Sequence, residues 1–402
     1  MSSINRRGTV RVAFDSSALK ARYRNHGIQV YARNLLGALR ESAPQHGMEI
    51  RPFVSSLEEM NALSEQEPGF RPRKTRLLGF DRVWRYGGAT AAAFLDGADI
   101  LFNPNGASLP INMLLPTVTT IHDLTPMVMP CFPRRISFLL KFLLMRSAKS
   151  SAALITVSEN SRQDIVRLCG VPQSKIHVVY EGYDRALFNE AAPDQTLLQT
   201  LLSRLGISRP YILHHGAIQP RKNLPRLIAA YRQMLARNSC HDFDLVLSGP
   251  LAWQVDETVA AAQDKSGNRG KVVLTGALSD QDLSMLLRGA ALEVVPSLYE
   301  GFCLPMVEAM ACGVPTIAAN SSCLPEISGS VLRYFDPYSV DELVTRMEEA
   351  VQSEDLRAEL AARGKERARQ FSWELCAQQT LVILAQVART SRTRARAAGV
   401  AL

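Results

Sequence analysis

The chain has 402 residues, 47% of them hydrophobic, which is enough for two or three domains that each bury a core. No apolar run reaches the ~18 residues that a membrane-spanning helix needs, and the polar N-terminus leads straight into a strand, so we expect neither a membrane span nor a signal peptide. Seven cysteines without a CxxC pair or metal-type spacing favour a reducing, cytoplasmic compartment.

The net charge of +8 is concentrated in the first half of the chain, with a further basic run at residues 389–396. Nucleic-acid binding is one explanation of such a charge, but the sequence has no basic patch interleaved with aromatic residues and no helix-turn-helix pattern. Contact with an anionic membrane surface or an anionic acceptor explains the charge better. We therefore expect no nucleic-acid partner.

Short apolar or β-branched runs alternate with segments of helical periodicity along the chain. The strands predicted in the first half are 10–14, 100–102, 117–121, 154–157 and 176–179. Those predicted in the second half are 211–214, 244–247, 272–274, 292–295 and 316–318. The helices between them include 30–40, 161–168, 224–236 and 280–288. This alternation predicts an α/β fold of two doubly wound, Rossmann-like domains around a cleft, with ligands at the carboxyl ends of the strands.

A segment without a strong strand, residues 184–210, separates the two series of strands. Its proline and polar residues predict an interdomain linker near 190–208. The predicted parts are therefore a domain of residues 1–190, a domain of 205–372, an amphipathic helix over 373–389 and a disordered basic tail over 390–402.

Two positions at strand ends in the first domain are suited to a ligand site. Gly27 lies between the first strand and a helix whose N-terminus can accept a phosphate, although a lone glycine there can equally be a loop residue. His122 and Asp123 follow the strand 117–121. His122 can hydrogen-bond a transferring group, whereas a lone histidine after a strand is more often structural, and Asp123 can simply cap the next turn.

The segment 132–148, FPRRISFLLKFLLMRSA, combines apolar faces with arginines and lysines. One interpretation is a helix that lies on a membrane surface, with its cations on anionic lipid. The other is a helix packed on its own domain with its charges outward, which the breadth of the apolar stripe favours.

A cationic loop, GAIQPRKN, follows the strand 211–214. Gly216 at the strand end allows the backbone to come close to a ligand. Arg221 supplies a fork of donors and Lys222 a point charge, so the pair can neutralise a diphosphate. Taken alone, an Arg-Lys pair is more often a solvated turn.

Two DxD-like runs, 242–244 and 280–282, invite a metal interpretation. The first leads directly into a strand, and the second is typical of a helix N-cap with acids in its first turn. Both are explained structurally, and we predict no metal ion.

The segment 294–324 sets two glutamates around the start of a helix. Pro305 suits the first residue of this helix, because the fixed φ of proline fits a helix and its missing N–H would have no intrahelical partner. The helix is expected to run through 306–312 and to stop at Gly313. The N–H groups of such a first turn form an anion site suited to a diphosphate. Glu300 lies in the loop beside that site and Glu308 one turn into the helix, where both can accept hydrogen bonds from hydroxyls.

These pieces together resemble the retaining glycosyltransferases of family GT4, which have a GT-B fold of two Rossmann-like domains. The most specific match is the E-x7-E element in SLYEGFCLPMVEAMACGVP, and GAIQPRKNL, IHDLTP, ITVSENSRQDI, FDPYSVDEL and FSWE fall in family order. The resemblance covers roughly residues 8–385. Within GT4, the HDLTP and PRKN variants look most like mannosyltransferases of bacterial polysaccharide and O-antigen assembly.

The resemblance implies a role for each matching position around the phosphates. His122 would lie by the anomeric centre, and Gly27 beside the β-phosphate. Arg221 and Lys222 would bind the donor diphosphate, next to Gly216.

For the two sugars of the donor, the resemblance implies that Glu308 holds the ribose hydroxyls and Glu300 the hydroxyls of the transferred sugar. The backbone N–H groups that would assist belong to Gly301, Phe302, Cys303 and Leu304.

The sequence departs from the family pattern at three places. Many members carry Gly-Gly near the first helix, where this chain has Asn25-His26-Gly27. Some members place an arginine directly after the loop glycine, where this chain has Ala217, so neutralisation rests more on the two cations of the loop. The common glycine of EGFGLP is Cys303 here, a small residue that should fit.

The resemblance implies transfer of a hexose, with retention of configuration, to a hydroxyl of a growing cell-surface polysaccharide or lipid-linked oligosaccharide. Mannose from GDP-mannose is the favoured donor. Neither a cofactor nor a metal ion is expected. The first domain would bind the acceptor, and the second domain would bind the nucleotide sugar. The helix 373–389 would return to the first domain. The protein would be cytoplasmic or peripheral on the inner membrane face. A UDP-sugar transferase, a non-catalytic sugar-nucleotide-binding module and a nucleotide-sugar epimerase remain as alternatives.

No acid in the sequence is an evident nucleophile of the kind that retaining glycosidases use. The resemblance instead implies front-face substitution, in which the leaving phosphate takes the acceptor proton. The protein then acts mainly by positioning the reactants and by stabilising charge on the leaving diphosphate.

Overall fold

A computed structural model describes residues 9–19, 27–54, 73–74, 87–106, 114–130, 134–237, 243–264 and 270–397. The chain divides into two compact units. The first consists of Met1–Gly182 together with Trp373–Leu402, and the second of Tyr183–Ser372. Among the described helices, none is both long and apolar enough to cross a membrane.

The first unit contains a seven-stranded sheet in which all neighbouring strands run parallel. Its strands are β1 (Val10–Asp15), β2 (Met48–Val54), β3 (Arg73–Lys74), β4 (Ile100–Asn103), β5 (Thr117–Ile121), β6 (Ala153–Thr156) and β7 (Ile176–Val178). Their order is β3-β2-β1-β4-β5-β6-β7. The order changes direction between β1 and β4, and ligands of such sheets bind outside the carboxyl ends at this point.

The helices of the first unit follow its strands along the chain. They are α1 (Gly27–Ser42), α2 (Ala89–Leu95), α3 (Thr125–Val128), α4 (Arg134–Ser150) and α5 (Glu159–Cys169). Helix α5 shows the local rules clearly: Ser158 caps its first turn by accepting a hydrogen bond from the Ser161 N–H, and Gly170 ends it with φ 63°. Ile121, Leu154 and Ile165 join the sheet to this helix in a fully buried cluster.

The second unit contains a six-stranded parallel sheet of order β10-β9-β8-β11-β12-β13. Its strands are β8 (Tyr211–His215), β9 (Asp244–Ser248), β10 (Val272–Gly276), β11 (Leu292–Val295), β12 (Thr316–Ala319) and β13 (Arg333–Phe335). Its helices are α6 (Gln195–Leu205), α7 (Leu224–Ala236), α8 (Asp256–Gln263), α9 (Asp280–Arg288), α10 (Leu304–Ala311), α11 (Leu324–Ser328), α12 (Val340–Gln352) and α13 (Glu354–Ala368). Here the order changes direction between β8 and β11.

The architecture confirms the predicted α/β fold class. Every predicted strand is present, with bounds that differ by at most two residues, and α7 and α9 match their predicted bounds. The sequence did not reveal β2, β3 or β13. Strand β2 reads MEIRPFV, whose charged residues and proline interrupt the apolar pattern, and the other two span only two and three residues.

The boundary between the units lies before the predicted linker near 190–208. The second unit already begins at Tyr183, and the segment in question contains α6. Asp194 caps this helix through the N–H groups of Thr196 and Leu197, and its Leu198 and Leu201 are buried in the second unit. Apolar residues at helical spacing make this segment a helix, despite the proline and polar residues before it.

The last helix, α14 (Trp373–Ala397), is grouped with the first unit. It packs on α1, where the indole of Trp373 meets the Tyr31 ring edge-on with 5.9 Å between centroids. The predicted end at residue 389 is wrong, because the helix continues to Ala397. Residues 390–397 are rich in alanine and arginine and contain no glycine or proline, so nothing in them ends a helix. Residues 398–402 of the predicted tail lie outside the described residues.

Candidate functional site

The loops that follow β8 and β11 lie side by side at the carboxyl edge of the second sheet, where its strand order changes direction. Gly216 begins the first loop with φ 128°, and a Cβ there would stand 3.5 Å from Lys222 Nζ and from Pro305 Cγ. A Cβ on Gly249 would stand 2.0 Å from the Gly216 carbonyl oxygen, so these backbones pack closely. The strand end therefore brings loop backbone, a cation and the start of α10 together.

The cationic loop is held by hydrogen bonds to its neighbours. Asn223 has φ 60° and donates through Nδ2 to the carbonyls of Pro296 (3.1 Å) and Pro337 (2.8 Å). The N–H of Leu298 donates to the Arg221 carbonyl at 2.8 Å. These bonds fix the Arg-Lys turn against the loop that carries Glu300.

Arg221, Lys222 and Glu300 form one ion-pair cluster. Lys222 Nζ lies 2.7 Å from Glu300 Oε1, and Arg221 Nη1 contacts Glu300 Oε2. Ser297 Oγ also donates to Glu300 Oε1 at 2.8 Å. Lys222 and Glu300 are each only 3% exposed, so the alternative of a solvated turn is wrong for Lys222. Two cations and one carboxylate leave a net positive charge at the sheet edge, which suits an anion.

The pKa of Glu300 is about 2. Burial raises the pKa of this carboxyl, but the charges of Arg221 and Lys222 outweigh burial and lower it below the ordinary 4.5. Glu300 is therefore ionised throughout the neutral range. The sequence placed Glu300 in the loop beside the predicted anion site, and the structure adds that both of its oxygens are engaged by the two cations.

Glu308 lies in α10, and its side chain is directed to the end of β8. Its Oε2 lies 3.2 Å from His215 Nε2, and the Nδ1 of the same ring lies 3.0 Å from Oε1 of Glu293 in β11. The sequence analysis missed His215 and Glu293. The signals were present, because a glutamate interrupts an otherwise apolar strand and a His-His pair ends the neighbouring strand.

The two adjacent histidines of β8 have opposite pKa shifts. Burial and the nearby charge of Lys222 lower the pKa of His214 to about 3, and its Nδ1–H donates to the Val294 carbonyl at 2.9 Å. Burial also opposes the charge of His215, but Glu293 and Glu308 outweigh it and raise the pKa of His215 to about 9. At neutral pH, His214 is neutral and His215 is charged.

Helix α10 begins at Leu304, with Pro305 in its first turn, one residue before the predicted start. Cys303 precedes it with φ 74°, a left-handed conformation that favours glycine. The cysteine fits the available space, but its backbone is strained by about 1–2 kcal/mol. The Phe302 ring meets Phe371 edge-on at 5.4 Å. Gly301 and Phe302 are buried in this loop.

In the first unit, the ring of His122 is held on both sides. Its Nδ1 lies 3.0 Å from Glu181 Oε1 and its Nε2 lies 3.0 Å from the Pro104 carbonyl, while Tyr31 packs against it edge-on at 4.5 Å. Both partners are acceptors, so both nitrogens donate and the ring is an imidazolium. Burial lowers the pKa of His122, but Glu181 outweighs it and the pKa is raised. Asp123 caps the next turn by accepting from the Thr125 N–H at 2.8 Å.

Gly27 opens α1, and among the described residues no atom lies within 4 Å of the position of an added Cβ. These residues therefore place no packing constraint on the glycine. Asn25 and His26, which stand where many family members have Gly-Gly, lie outside the described residues.

The DxD-like runs are structural in the described part of the chain. Asp280 and Asp282 lie in the first turn of α9, where Ser279 accepts the Asp282 N–H. Asp244 opens β9, and Asp242 lies outside the described residues. Across the described ranges, no group of three or more His, Cys, Asp and Glu side chains is arranged to hold a metal ion.

Two family profiles match the chain. The profile of glycosyl transferases group 1 matches residues 204–367, and the profile of glycosyltransferase family 4 matches residues 25–187. The group 1 profile covers the cationic loop and the two glutamates of the second unit. The family 4 profile covers Gly27 and His122 of the first unit.

Known proteins are similar to this chain in sequence and in fold. It is 33% identical over 294 residues to the O-antigen chain mannosyltransferase B of Escherichia coli, a match that covers 72% of this chain and 75% of that protein. It is 29% identical over 262 residues to the serotype-specific mannosyltransferase WbdA of Escherichia coli, covering 64% of this chain but only 32% of WbdA. The crystal structure of Anabaena Alr3699/HepE in complex with UDP and glucose superposes with a TM-score of 0.71 at 18% identity, covering 94% of this chain and 100% of that one.

Proposed function

This chain belongs to the glycosyltransferases of family GT4, and from this premise we propose that it transfers mannose from GDP-mannose to a hydroxyl of a growing cell-surface polysaccharide or lipid-linked oligosaccharide. The observation that carries the proposal is the cluster of Arg221, Lys222 and Glu300 beside Glu308 at the carboxyl edge of the second sheet. The choice of mannose and of a polysaccharide acceptor is supported by the names of the Escherichia coli relatives.

In the proposed reaction, Arg221 and Lys222 bind the donor diphosphate and stabilise the charge that develops on it as the glycosidic bond breaks. Glu300 accepts hydrogen bonds from hydroxyls of the transferred sugar, and Glu308 accepts them from the ribose. The acceptor oxygen attacks from the face that the diphosphate leaves, so the anomeric configuration is kept, and a phosphate oxygen takes the acceptor proton. No metal ion takes part in this scheme.

His122 has a supporting role in this proposal. Because both of its nitrogens are engaged by Glu181 and Pro104, its contribution is to hold the carboxyl end of β5 in place rather than to transfer a proton. The Glu181 carboxylate offsets the charge of the ring. Gly27, at the N-terminus of α1, lies beside the β-phosphate in this proposal.

The donor is tested by incubating the purified protein with a panel of GDP- and UDP-sugars and measuring donor hydrolysis and thermal stabilisation. We expect GDP-mannose to give the largest effect on both. A UDP-sugar that outperforms every GDP-sugar would support the alternative donor class, which the UDP-bound Anabaena structure favours. Nucleotide binding with no hydrolysis or transfer would indicate a non-catalytic binding module. Conversion of the donor into another sugar nucleotide, without an acceptor and without release of the nucleotide, would indicate an epimerase.

We also propose that α4 rests on an anionic membrane surface, where a lipid-linked acceptor is found. Ile136 (50%), Phe138 (75%) and Phe142 (47%) are exposed on this helix, and so are its basic residues Lys141 and Arg146. Exposed large apolar side chains among cations are typical of an interfacial helix. This observation weighs against a helix that only packs on its own domain.

The double variant Phe138→Ser/Phe142→Ser is expected to bind vesicles of phosphatidylcholine and phosphatidylglycerol roughly tenfold more weakly than the wild type, because it loses the exposed apolar area. Co-sedimentation measures this binding. The matched control is Phe94→Ser/Leu95→Ser, which removes exposed apolar side chains from α2 and should bind normally. A wild-type protein that ignores these vesicles, or a double variant that binds like the wild type, contradicts the membrane contact.

A further inference from the structure

A carboxyl group is buried in the middle of the second sheet. Glu293 lies in β11 between Leu292 and Val294 and is 0% exposed. A buried carboxylate is costly unless it is paired and hydrogen-bonded. Its Oε1 accepts from both the N–H (3.2 Å) and the Nδ1–H (3.0 Å) of His215, whereas its Oε2 has no partner among the described residues.

His215 connects this buried carboxyl to the edge of the sheet. Its two ring nitrogens contact two carboxylates, Glu293 on one side and Glu308 Oε2 on the other at 3.2 Å. Burial raises the pKa of Glu293, while the His215 ring opposes that rise. When both carboxyl groups are ionised they only accept hydrogen bonds, and both ring nitrogens then carry a proton. The ring is therefore an imidazolium held in one orientation by its two neighbours.

A metal site does not explain this arrangement. A metal ion would need one ring nitrogen and the carboxylates to converge on a single point, whereas Glu293 and Glu308 contact opposite nitrogens of the ring. The described residues also offer no cluster suited to a metal.

Of the three contacting residues Glu293, His215 and Glu308, Glu308 is partly exposed to solvent. The Glu308 side chain is 13% exposed, whereas that of His215 is 2% exposed. Glu308 Oε2 contacts His215, and no group in the described ranges bonds Glu308 Oε1. One oxygen is thus fixed from inside the protein, and the other is left for a ligand.

We propose that His215, anchored by the buried Glu293, is a positioning residue that fixes the Glu308 carboxylate to receive the ribose hydroxyls of the nucleotide. This inference rests on the proposed function, which assigns the ribose to Glu308. It adds two residues that touch no substrate and act only through Glu308. A rotating carboxylate would lose orientation when it bonds the ribose, and a charged ring with two fixed partners prevents that rotation.

The arrangement makes ribose recognition depend on pH. The charged or titratable groups around His215 are Glu293 from β11, Glu308 from α10 and His214 on its own strand, with Lys222 acting on Glu293. The pKa of His215 is raised to about 9, so the ring stays charged below that pH and loses its proton above it. Recognition of the ribose is expected to be constant from pH 6 to 8 and to weaken as the pH rises through about 9.

The test compares ribose with deoxyribose in the absence of turnover. Calorimetry measures binding of GDP and of 2′,3′-dideoxy-GDP, and of the UDP pair. The wild type should bind the nucleotide with ribose hydroxyls with a Kd roughly tenfold or more lower than that of the dideoxy form. One hydrogen bond to a charged group typically contributes a change in affinity of about this size. His215→Gln should reduce this preference to less than about threefold, because the amide keeps a donor but not the charge or the fixed ring.

A second variant, Glu293→Gln, keeps an acceptor for the Nδ1–H and removes the charge that holds the proton on the ring. It should discriminate ribose like the wild type at pH 6 and lose that discrimination by pH 8, a shift that a merely structural residue would not produce. His46→Gln is the matched control, since that exposed ring bonds the Ser42 carbonyl in the first unit, and it should leave binding unchanged.

The outcomes separate this inference from the proposed function. If folded His215→Gln and Glu293→Gln both keep the wild-type preference at every pH, the positioning role is wrong while the role of Glu308 stands. A wild type that binds nucleotide without distinguishing the dideoxy form overturns the ribose role of Glu308 and this inference with it. Thermal unfolding of each variant shows whether it is folded, and if His215→Gln is not, Glu293→Gln decides the question.

Discussion

Replacing Glu300 with glutamine is expected to slow sugar transfer by at least about 100-fold, whereas binding of the free nucleoside diphosphate should be preserved or become tighter. The carboxylate is proposed to orient the transferred sugar, so its loss affects the reacting geometry. It also neutralises Arg221 and Lys222, which both contact it, so its removal leaves more positive charge for the diphosphate. Initial rates and calorimetric Kd values for GDP and UDP measure the two effects separately.

The comparison needs a glutamate that makes an ordinary surface ion pair. Glu349→Gln removes such a carboxylate from Arg346, 2.8 Å away, and should leave transfer unchanged. Transfer by Glu300→Gln at the wild-type rate would contradict the sugar-binding role. Because the pKa of Glu300 is about 2, its contribution to stability is present above the ordinary pKa of 4.5 and disappears only as the pH falls through about 2.

Lys222→Met is expected to reduce transfer by about 100- to 1000-fold, as the removal of one charge-stabilising group commonly does. It should also lower the free energy of unfolding by about 3 kcal/mol, because the buried Glu300 loses one of its two cationic partners. The burial of Lys222 is the reason for expecting this loss of stability. Chemical denaturation and initial rates measure the two effects.

A double variant separates stability from catalysis. Lys222→Met/Glu300→Gln removes the charges of both partners, so it should recover stability relative to Lys222→Met and remain inactive. Lys365→Met is the control, since that lysine pairs with an exposed glutamate at the surface and should change neither property. A Lys222→Met protein with near-normal transfer would refute the phosphate role.

The sequence was sufficient to predict the two sheets because most strands are short apolar or β-branched runs between helical segments. The bounds of β5 and β11 were predicted to the residue, although β11 contains Glu293, whereas β2 was missed because Glu49, Arg51 and Pro52 interrupt its pattern. The segment near 190–208 was predicted to be a linker because of its proline and polar residues, although its helical period buries Leu198 and Leu201.

The candidate site was predictable where its residues share one local motif. Arg221 and Lys222 stand in one loop, and the spacing of Glu300 and Glu308 is a family pattern. His215, Glu293 and Glu181 were missed because their partners are distant in sequence: His215 bonds residues 78 and 93 positions away, and Glu181 bonds a histidine 59 positions away. Only the folded sheet brings such groups within 3 Å or so of each other.

The position of α14 determines the order in which the chain can fold during synthesis. The second unit is inserted between β7 and α14, so the ribosome completes it before the last helix of the first unit has emerged. Until then, α1 lacks the helix that covers it, and the side of the first unit that receives Leu381 and Leu384 faces water. A nascent chain of this protein therefore contains the whole second unit while the first unit still lacks α14. Premature termination anywhere before Trp373 leaves the first unit without this helix.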